Sequence, residues 1–230
     1  MKLLLDTANL ADIRYFHTYY PIVGITTNPT ILAREGGDVL FRLREIRSII
    51  GEDMELHVQV MESEYEKILE EAEAIVDLLG NKKNTFIKIP ATPVGLRATR
   101  ELASRGYGIT VTAILSAGQA MVAANAGAAY VAPYVSRLEN ISSNGVETVS
   151  EIQAVFDAGA YKTEVLAASF KTAREVLEVA LTGAGAATVS PDVMKYLMAH
   201  TNTDTSIITF HNDWGRAFGS RSLLDLMKKQ

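Results

Sequence analysis

The chain has no cysteine among its 230 residues. Disulfides and thiolate-bound metals are therefore excluded, and nothing points to an oxidising compartment. Long apolar runs are also missing. The opening MKLLLDTANL has three consecutive leucines before Asp6, too few for the core of a secretion signal. No later stretch approaches the ~20 apolar residues of a membrane span. The expectation is a soluble, unprocessed, cytoplasmic protein with no membrane contact. Charge of one sign is lacking too: 22 Lys and Arg are interspersed with 27 Asp and Glu, for a net charge of −5. That balance argues against a nucleic-acid surface and leaves any phosphate site to be local. The histidines His17, His57, His200 and His211 are scattered without ligand spacing, so no metal is expected. No Gly-x-Gly-x-x-Gly follows a strand, and no nucleotide or other cofactor is expected. Asn140-Ile141-Ser142 fits a glycosylation sequon, but without a secretion signal it is read as chance.

What the chain does have is 48 % apolar residues, enough for a sizeable core. Eight short runs rich in β-branched residues recur along it: KLLLD, IVGITT, LHVQVM, TFIKIP, GITVTAIL, AYVAPYV, EVLAAS and AATVS. Helical patterns lie between them. Over 63 to 79, Ser63 and Glu66 have capping-box spacing, and Ile68, Leu69, Ala72, Ile75, Val76 and Leu79 recur with helical period. Thr172 and Glu175 repeat the box, and Thr92-Pro93 opens a further helix with Gly106 near its end. Strand and helix alternating eight times within about 250 residues is the pattern of a (β/α)8 TIM barrel; a doubly wound open sheet shares the alternation, but without a Gly-x-Gly-x-x-Gly after a strand the barrel is favoured. The fold class expected is thus α/β, one barrel domain over 1–230 in which 201–230 form a C-terminal helical tail. The stretch RLENISSNGV, 137 to 146, reads as the longest loop and is placed to lie over the barrel mouth.

Chemistry in such barrels gathers at the C-terminal ends of the strands. There the sequence places Asp6, Thr26, Asn28, Gln59, Lys88, Thr112, Tyr134, Arg137 and Ser169. Most have ordinary readings as caps, strand threonines, rim aromatics or solvated charges. Lys88 does not. Parity puts Phe86 and Lys88 on one strand face and Ile87 and Ile89 on the other, so Lys88 can point into the barrel. A lysine buried among apolar neighbours is rare without a carboxylate partner or a chemical task.

Apolar enclosure disfavours the ammonium and lowers its pKa from ~10.4, which turns the amine into a nucleophile. It then attacks a ketone, and the protonated imine accepts electrons when the neighbouring carbon–carbon bond breaks. That is metal-free aldol chemistry. An anion site is available near Ser169 and Lys171, where the capped helix start at Thr172 follows the seventh strand. Arg137 could supply a forked contact from the other side. The residues alone indicate a lysine-dependent enzyme acting on a small phosphorylated carbonyl compound.

LLLDTANL, VGITTNPT, TFIKIPAT, AAYVAPYVSR and LAASFKT, in this order and continuing to DWGRAF, resemble the transaldolase family, in particular its small members, among them the fructose-6-phosphate aldolases. The resemblance implies a Schiff-base lysine at Lys88 and a proton-transferring, hydroxyl-binding aspartate at Asp6. It implies sugar-hydroxyl contacts at Thr26 and Asn28, and phosphate contacts at Arg137, Ser169 and Lys171. Transaldolases usually carry glutamate where this chain has Gln59 and phenylalanine where it has Tyr134. That pair favours a class I aldolase cleaving fructose 6-phosphate to dihydroxyacetone and glyceraldehyde 3-phosphate, with Gln59, Thr112 and Tyr134 positioning a water. The alternative is a transaldolase of the pentose phosphate pathway, and a lesser one a sugar-phosphate-binding barrel without catalysis. Ser136 departs from the glycine or asparagine of related chains. The family also implies a homo-oligomer, a pentamer or decamer, and Phe210, Trp214 and Phe218 recur every four residues as an aromatic stripe for assembly.

Overall fold

The computed structural model of the chain describes residues 1–139 and 144–228. Eight parallel strands close into a barrel in chain order: β1 (Lys2–Asp6), β2 (Gly24–Thr26), β3 (Glu55–Gln59), β4 (Thr85–Pro90), β5 (Gly108–Ile114), β6 (Tyr130–Pro133), β7 (Glu164–Ala167) and β8 (Ala186–Val189). Parallel neighbours need crossovers. These are supplied by α1 (Leu10–Tyr19), α2 (Pro29–Glu35), α3 (Val39–Ile50), α4 (Tyr65–Leu79), α5 (Pro93–Ser104), α6 (Ala117–Asn125), α7 (Val135–Glu139), α8 (Gly145–Ala158) and α9 (Ala173–Leu181). Then follow α10 (Pro191–Met198), α11 (Thr201–Phe218) and α12 (Leu223–Met227). The expected (β/α)8 barrel is the fold, and all eight expected strands are present.

Strand parity divides the core in two. Ile87 and Ile89 face outward and are fully buried, as are Ala98 and Leu102 of α5. Inside, Leu4, Tyr130, Leu166 and Ala186 pack together with Phe86, and the His57 ring stacks on Phe86 with centroids 4.7 Å apart. Gly108 is required there, because a Cβ would sit 2.7 Å from the Phe86 ring. Toward the N-terminal ends of the strands a polar chain runs through the interior. Lys2 Nζ donates to Tyr130 Oη (2.5 Å) and Tyr130 Oη to Glu55 Oε1 (3.0 Å). Glu55 Oε2 meets His57 Nε2 (3.2 Å), and His57 Nδ1 meets Thr110 Oγ1 (2.9 Å). Burial holds the His57 pKa below 6.5 against the opposing pull of Glu55.

Local signals fared unevenly. Thr172 and Glu175 form the expected capping box, and Thr92 caps α5 with Pro93 in its first turn. The Ser63–Glu66 box does not form. Instead α4 starts at Tyr65 behind Glu64, which makes no side-chain cap bond. Just before it, the Glu71 carboxylate takes the N–H groups of Met61 and Glu62 at 2.8 and 2.9 Å. The expected loop at 137–146 is also corrected. Arg137 and Leu138 lie in α7, and α8 begins at Gly145, whose missing Cβ allows contact with Val135 O. The sequon at Asn140 lies outside the described residues.

The chain divides into two compact units, Met1–Met194 and Lys195–Gln230. In the second, α11 has no buried residue, and Ile207, Ile208 and Phe210 are exposed. Trp214 and Phe218 touch at 4.6 Å between centroids, and Trp214 Nε1 donates to Arg221 O at 2.7 Å. Among the described residues no helix is long and apolar enough to cross a membrane.

Candidate active site

A cavity of about 370 Å³ opens at the C-terminal ends of the strands, and Asp6, Thr26, Asn28, Gln59, Lys88, Tyr134, Arg137 and Ser169 all line it. Lys88 lies on β4 between Gln59 of β3 and Thr110 of β5, in register with both. It is 6 % exposed, and its Nζ donates to Thr27 O at 2.6 Å. Among the described residues no carboxylate bonds it directly. Burial pushes its pKa below 10.5, opposed by the charge of Asp6.

Asp6, the last residue of β1, accepts a 2.6 Å hydrogen bond from Thr26 Oγ1, which also meets Thr188 Oγ1 at 2.7 Å. Burial raises the Asp6 pKa above 3.8, against the pull of Lys88 and of the Thr26 bond. Both shifts run towards the uncharged forms of the pair, the direction a nucleophilic amine requires.

Asn28 follows β2 and caps α2, its Oδ1 accepting from Ile31 N at 3.0 Å, with Pro29 in the first turn. That Asn-Pro order fixes the strand-to-helix turn and leaves the Asn28 amide N–H groups for a ligand. Gln59 ends β3, and its amide makes no hydrogen bond among the described residues.

Thr112 does not line the cavity. It is fully buried and meets Tyr134 Oη at 3.0 Å from behind. The next residue, Ala113, has φ 60°, and the β5–β6 register shifts between Thr112 and Ile114. A left-handed alanine is uncommon, and here the irregularity turns Ala113 into the cavity wall. Tyr134 lies one residue past β6, with its N–H on Ile114 O at 3.1 Å. The Arg137 guanidinium sits 4.6 Å from the Tyr134 ring centre. Ser169 also has a left-handed backbone, φ 65°, and its carbonyl accepts from Ser136 N at 3.0 Å.

Lys171 is placed differently from the expectation. It is exposed and does not line the cavity. Nor is the start of α9 a ready anion site. The N–H groups of Lys171 and Thr172 donate to Glu175 Oε2 at 2.8 and 2.9 Å, and Glu175 N donates to Thr172 Oγ1. The helix already holds its own carboxylate there. Ser136 explains itself by the same group: buried, it donates to Glu175 Oε1 at 2.9 Å and ties α7 to α9. The sequence reading missed Thr188, Ala113 and this Ser136–Glu175 link. Parity within AATVS would have found Thr188, which stands opposite Leu4 of β1. No residue type announced the other two.

A barrel with one buried lysine and a ring of polar groups at its C-terminal rim is the framework of an enzyme that handles a small polar substrate. The model of the Transaldolase/Fructose-6-phosphate aldolase family matches residues 3–222. A probable transaldolase of Symbiobacterium thermophilum is 39 % identical over 219 residues, 95 % of this chain and 99 % of that one. A probable fructose-6-phosphate aldolase of Streptococcus pneumoniae is 37 % identical over 224 residues, 97 % of this chain and all of that one. The chain belongs to the Transaldolase/Fructose-6-phosphate aldolase family. Among solved structures, a mutant flavocytochrome b2 with pyruvate bound is similar in fold alone, with a TM-score of 0.57 at 14 % identity, over 83 % of this chain and 56 % of that one. Among the described residues no group of three or more His, Asp or Glu could hold a metal ion.

Proposed function

We propose that the chain is a class I aldolase that reversibly cleaves fructose 6-phosphate to dihydroxyacetone and glyceraldehyde 3-phosphate. The observation that carries the reading is Lys88, buried, bonded to the carbonyl oxygen of Thr27, and held below its ordinary pKa inside the cavity. Its neutral amine attacks the C2 ketone, and loss of water from the adduct gives a protonated imine. Asp6 takes the proton of the C4 hydroxyl as the C3–C4 bond breaks, the bonding electrons flow into the imine, and glyceraldehyde 3-phosphate leaves with its new aldehyde. The remaining enamine takes a proton at C3, and water then hydrolyses the imine to release dihydroxyacetone. Gln59 and Tyr134, backed by Thr112, hold the water that moves these protons. Thr26 keeps Asp6 in place, Asn28 binds donor hydroxyls, and Arg137 with Ser169 takes the phosphate.

Gln59 favours the aldolase over the transaldolase reading, because an amide can hold a water but cannot exchange a proton with it as a carboxylate does. The transaldolase reading is kept alive by the name of the Symbiobacterium relative. Free dihydroxyacetone released from fructose 6-phosphate, with and without erythrose 4-phosphate, separates them. Release without an acceptor supports the aldolase. Negligible release, with rapid formation of sedoheptulose 7-phosphate once the acceptor is added, identifies a transaldolase. The exposed apolar residues of α11 support assembly into a homo-oligomer through this helix.

A further inference from the structure

Two hydroxyls and a carboxyl meet in front of β1, whose neighbours in the barrel are β2 and β8. Asp6 is level with Thr26 on one side, and Leu4 with Thr188 on the other. Strand parity turns both threonines inward. Their Oγ1 atoms meet at 2.7 Å, beside the 2.6 Å bond from Thr26 to Asp6. All three residues line the cavity, yet Thr26 is fully buried and Thr188 is 3 % exposed. Barrel interiors are filled mainly by branched aliphatics, so two hydroxyls at such positions call for a reason.

Other buried threonines of this fold direct their hydroxyls to backbone carbonyls. Thr27 donates to His57 O, Thr99 to Gly95 O and Thr163 to Ala128 O. The Thr26–Thr188 pair ends on the Asp6 carboxylate instead. A hydroxyl has one proton to give. Thr26 gives its proton to Asp6 Oδ1, so the proton between the two threonines comes from Thr188. The chain therefore runs in one direction, from Thr188 to Thr26 to Asp6, and each bond polarises the next. It favours the charged form of Asp6, which burial opposes. The charged groups that share a cavity with Asp6 are of mixed sign: Lys88 of β4, Arg137 of α7, Asp12 of α1, Arg34 and Glu35 of α2, and Asp192 of α10.

We infer that Thr188 is a positioning residue for carbon–carbon cleavage: acting through Thr26, its hydroxyl holds Asp6 as an oriented carboxylate, ready to take the proton of the C4 hydroxyl. The inference rests on the roles given above to Lys88 and Asp6 and adds β8 to the strands that carry the chemistry.

The test is the pH profile of kcat/KM for fructose 6-phosphate cleavage by the wild type, Thr188→Val, Thr188→Ser, Thr26→Val and the double variant Thr26→Val with Thr188→Val. Dihydroxyacetone trapped on Lys88 by borohydride is measured for each. Thr188→Val lowers kcat/KM about tenfold, the scale of one hydrogen bond in a chain that ends on a charged group. It also moves the acid limb of the profile to higher pH, because a free-enzyme base that has lost a stabilising donor is protonated more easily. The trapped imine is unchanged, and Thr188→Ser stays within about twofold of the wild type. In the Thr26→Val background Thr188→Val costs less than about twofold, since the link is already cut. Should the valine variant not fold, Thr188→Ala, which only removes atoms, carries the same expectations. An equal loss in Thr188→Ser, a loss with an unmoved acid limb, or a full loss repeated in the Thr26→Val background overturns the assignment, as does a Thr188→Val enzyme as active as the wild type. No adduct in the wild type means the Lys88 reading has failed and Thr188 with it; an adduct without the Thr188 effects means only this inference has.

Discussion

Replacing Tyr134 by phenylalanine removes one hydroxyl and keeps the ring beneath Arg137. The phosphate end is therefore left alone, and the change falls on the 3.0 Å contact with Thr112 Oγ1. As a structural bond this is worth ~0.5–1.5 kcal/mol, so the melting temperature should drop by only a few degrees. As a proton-moving group the same hydroxyl is worth about 10²–10⁴ in rate, roughly 3–5 kcal/mol of barrier. The two readings are thus separable by size. The assay follows fructose 6-phosphate cleavage by free dihydroxyacetone, transfer to erythrose 4-phosphate, and borohydride-trapped imine. Cleavage should fall at least about a hundredfold, transfer far less, and imine yield not at all. The imine should persist because Lys88 meets Thr27 O and the charge of Asp6, and neither depends on Tyr134. Parallel losses of cleavage and transfer, or a change in cleavage no larger than the stability term, would refute the assignment of Tyr134 to proton movement.

Other outcomes follow from the same geometry. Arg137→Ala should weaken the use of phosphorylated acceptors about tenfold or more relative to unphosphorylated ones; equal losses in steady-state kinetics would give Arg137 another role. His57 has its pKa lowered by burial, so between that lowered value and 6.5 the unfolded chain binds more protons than the fold. Its contribution to stability is whole above about pH 6.5 and is lost as pH falls through the lowered value, with a slope of at most ~1.4 kcal/mol per pH unit. His57→Gln should flatten the acid side of the melting-temperature profile, and an unchanged slope would mean that other groups set it. Truncation after Thr205 removes Phe210, Trp214 and Phe218 and should reduce the number of subunits measured by light scattering; an unchanged mass would clear α11 of an assembly role.

The barrel was legible because its signal is repeated and redundant: eight β-branched runs with helical patterns between them do not depend on any one residue. Lys88 was legible because strand parity alone turns it inward from β4. Asp6, Thr26 and Gln59 could be found in the same way, each at a strand end. Arg137 was harder to place, since the five residues of α7 are too few for a helical period to show. Lys171 lies outside the cavity. Capping-box spacing located the start of α9, but it does not show that the N–H groups of Lys171 and Thr172 donate to Glu175. The Ser63–Glu66 spacing failed because α4 starts one residue later, behind Glu64. Ala113 carries no local mark, because its left-handed backbone is imposed by the β5–β6 register shift rather than by residue type.

The central claim is that the Lys88 amine forms a covalent bond with the substrate ketone. Borohydride reduction in the presence of dihydroxyacetone, followed by peptide mass mapping of the wild type and of Lys88→Met, tests it directly. The account predicts one reduced dihydroxyacetone adduct, on the peptide containing Lys88, and none in the variant. An unmodified Lys88 peptide from a preparation that is turning over fructose 6-phosphate would contradict it.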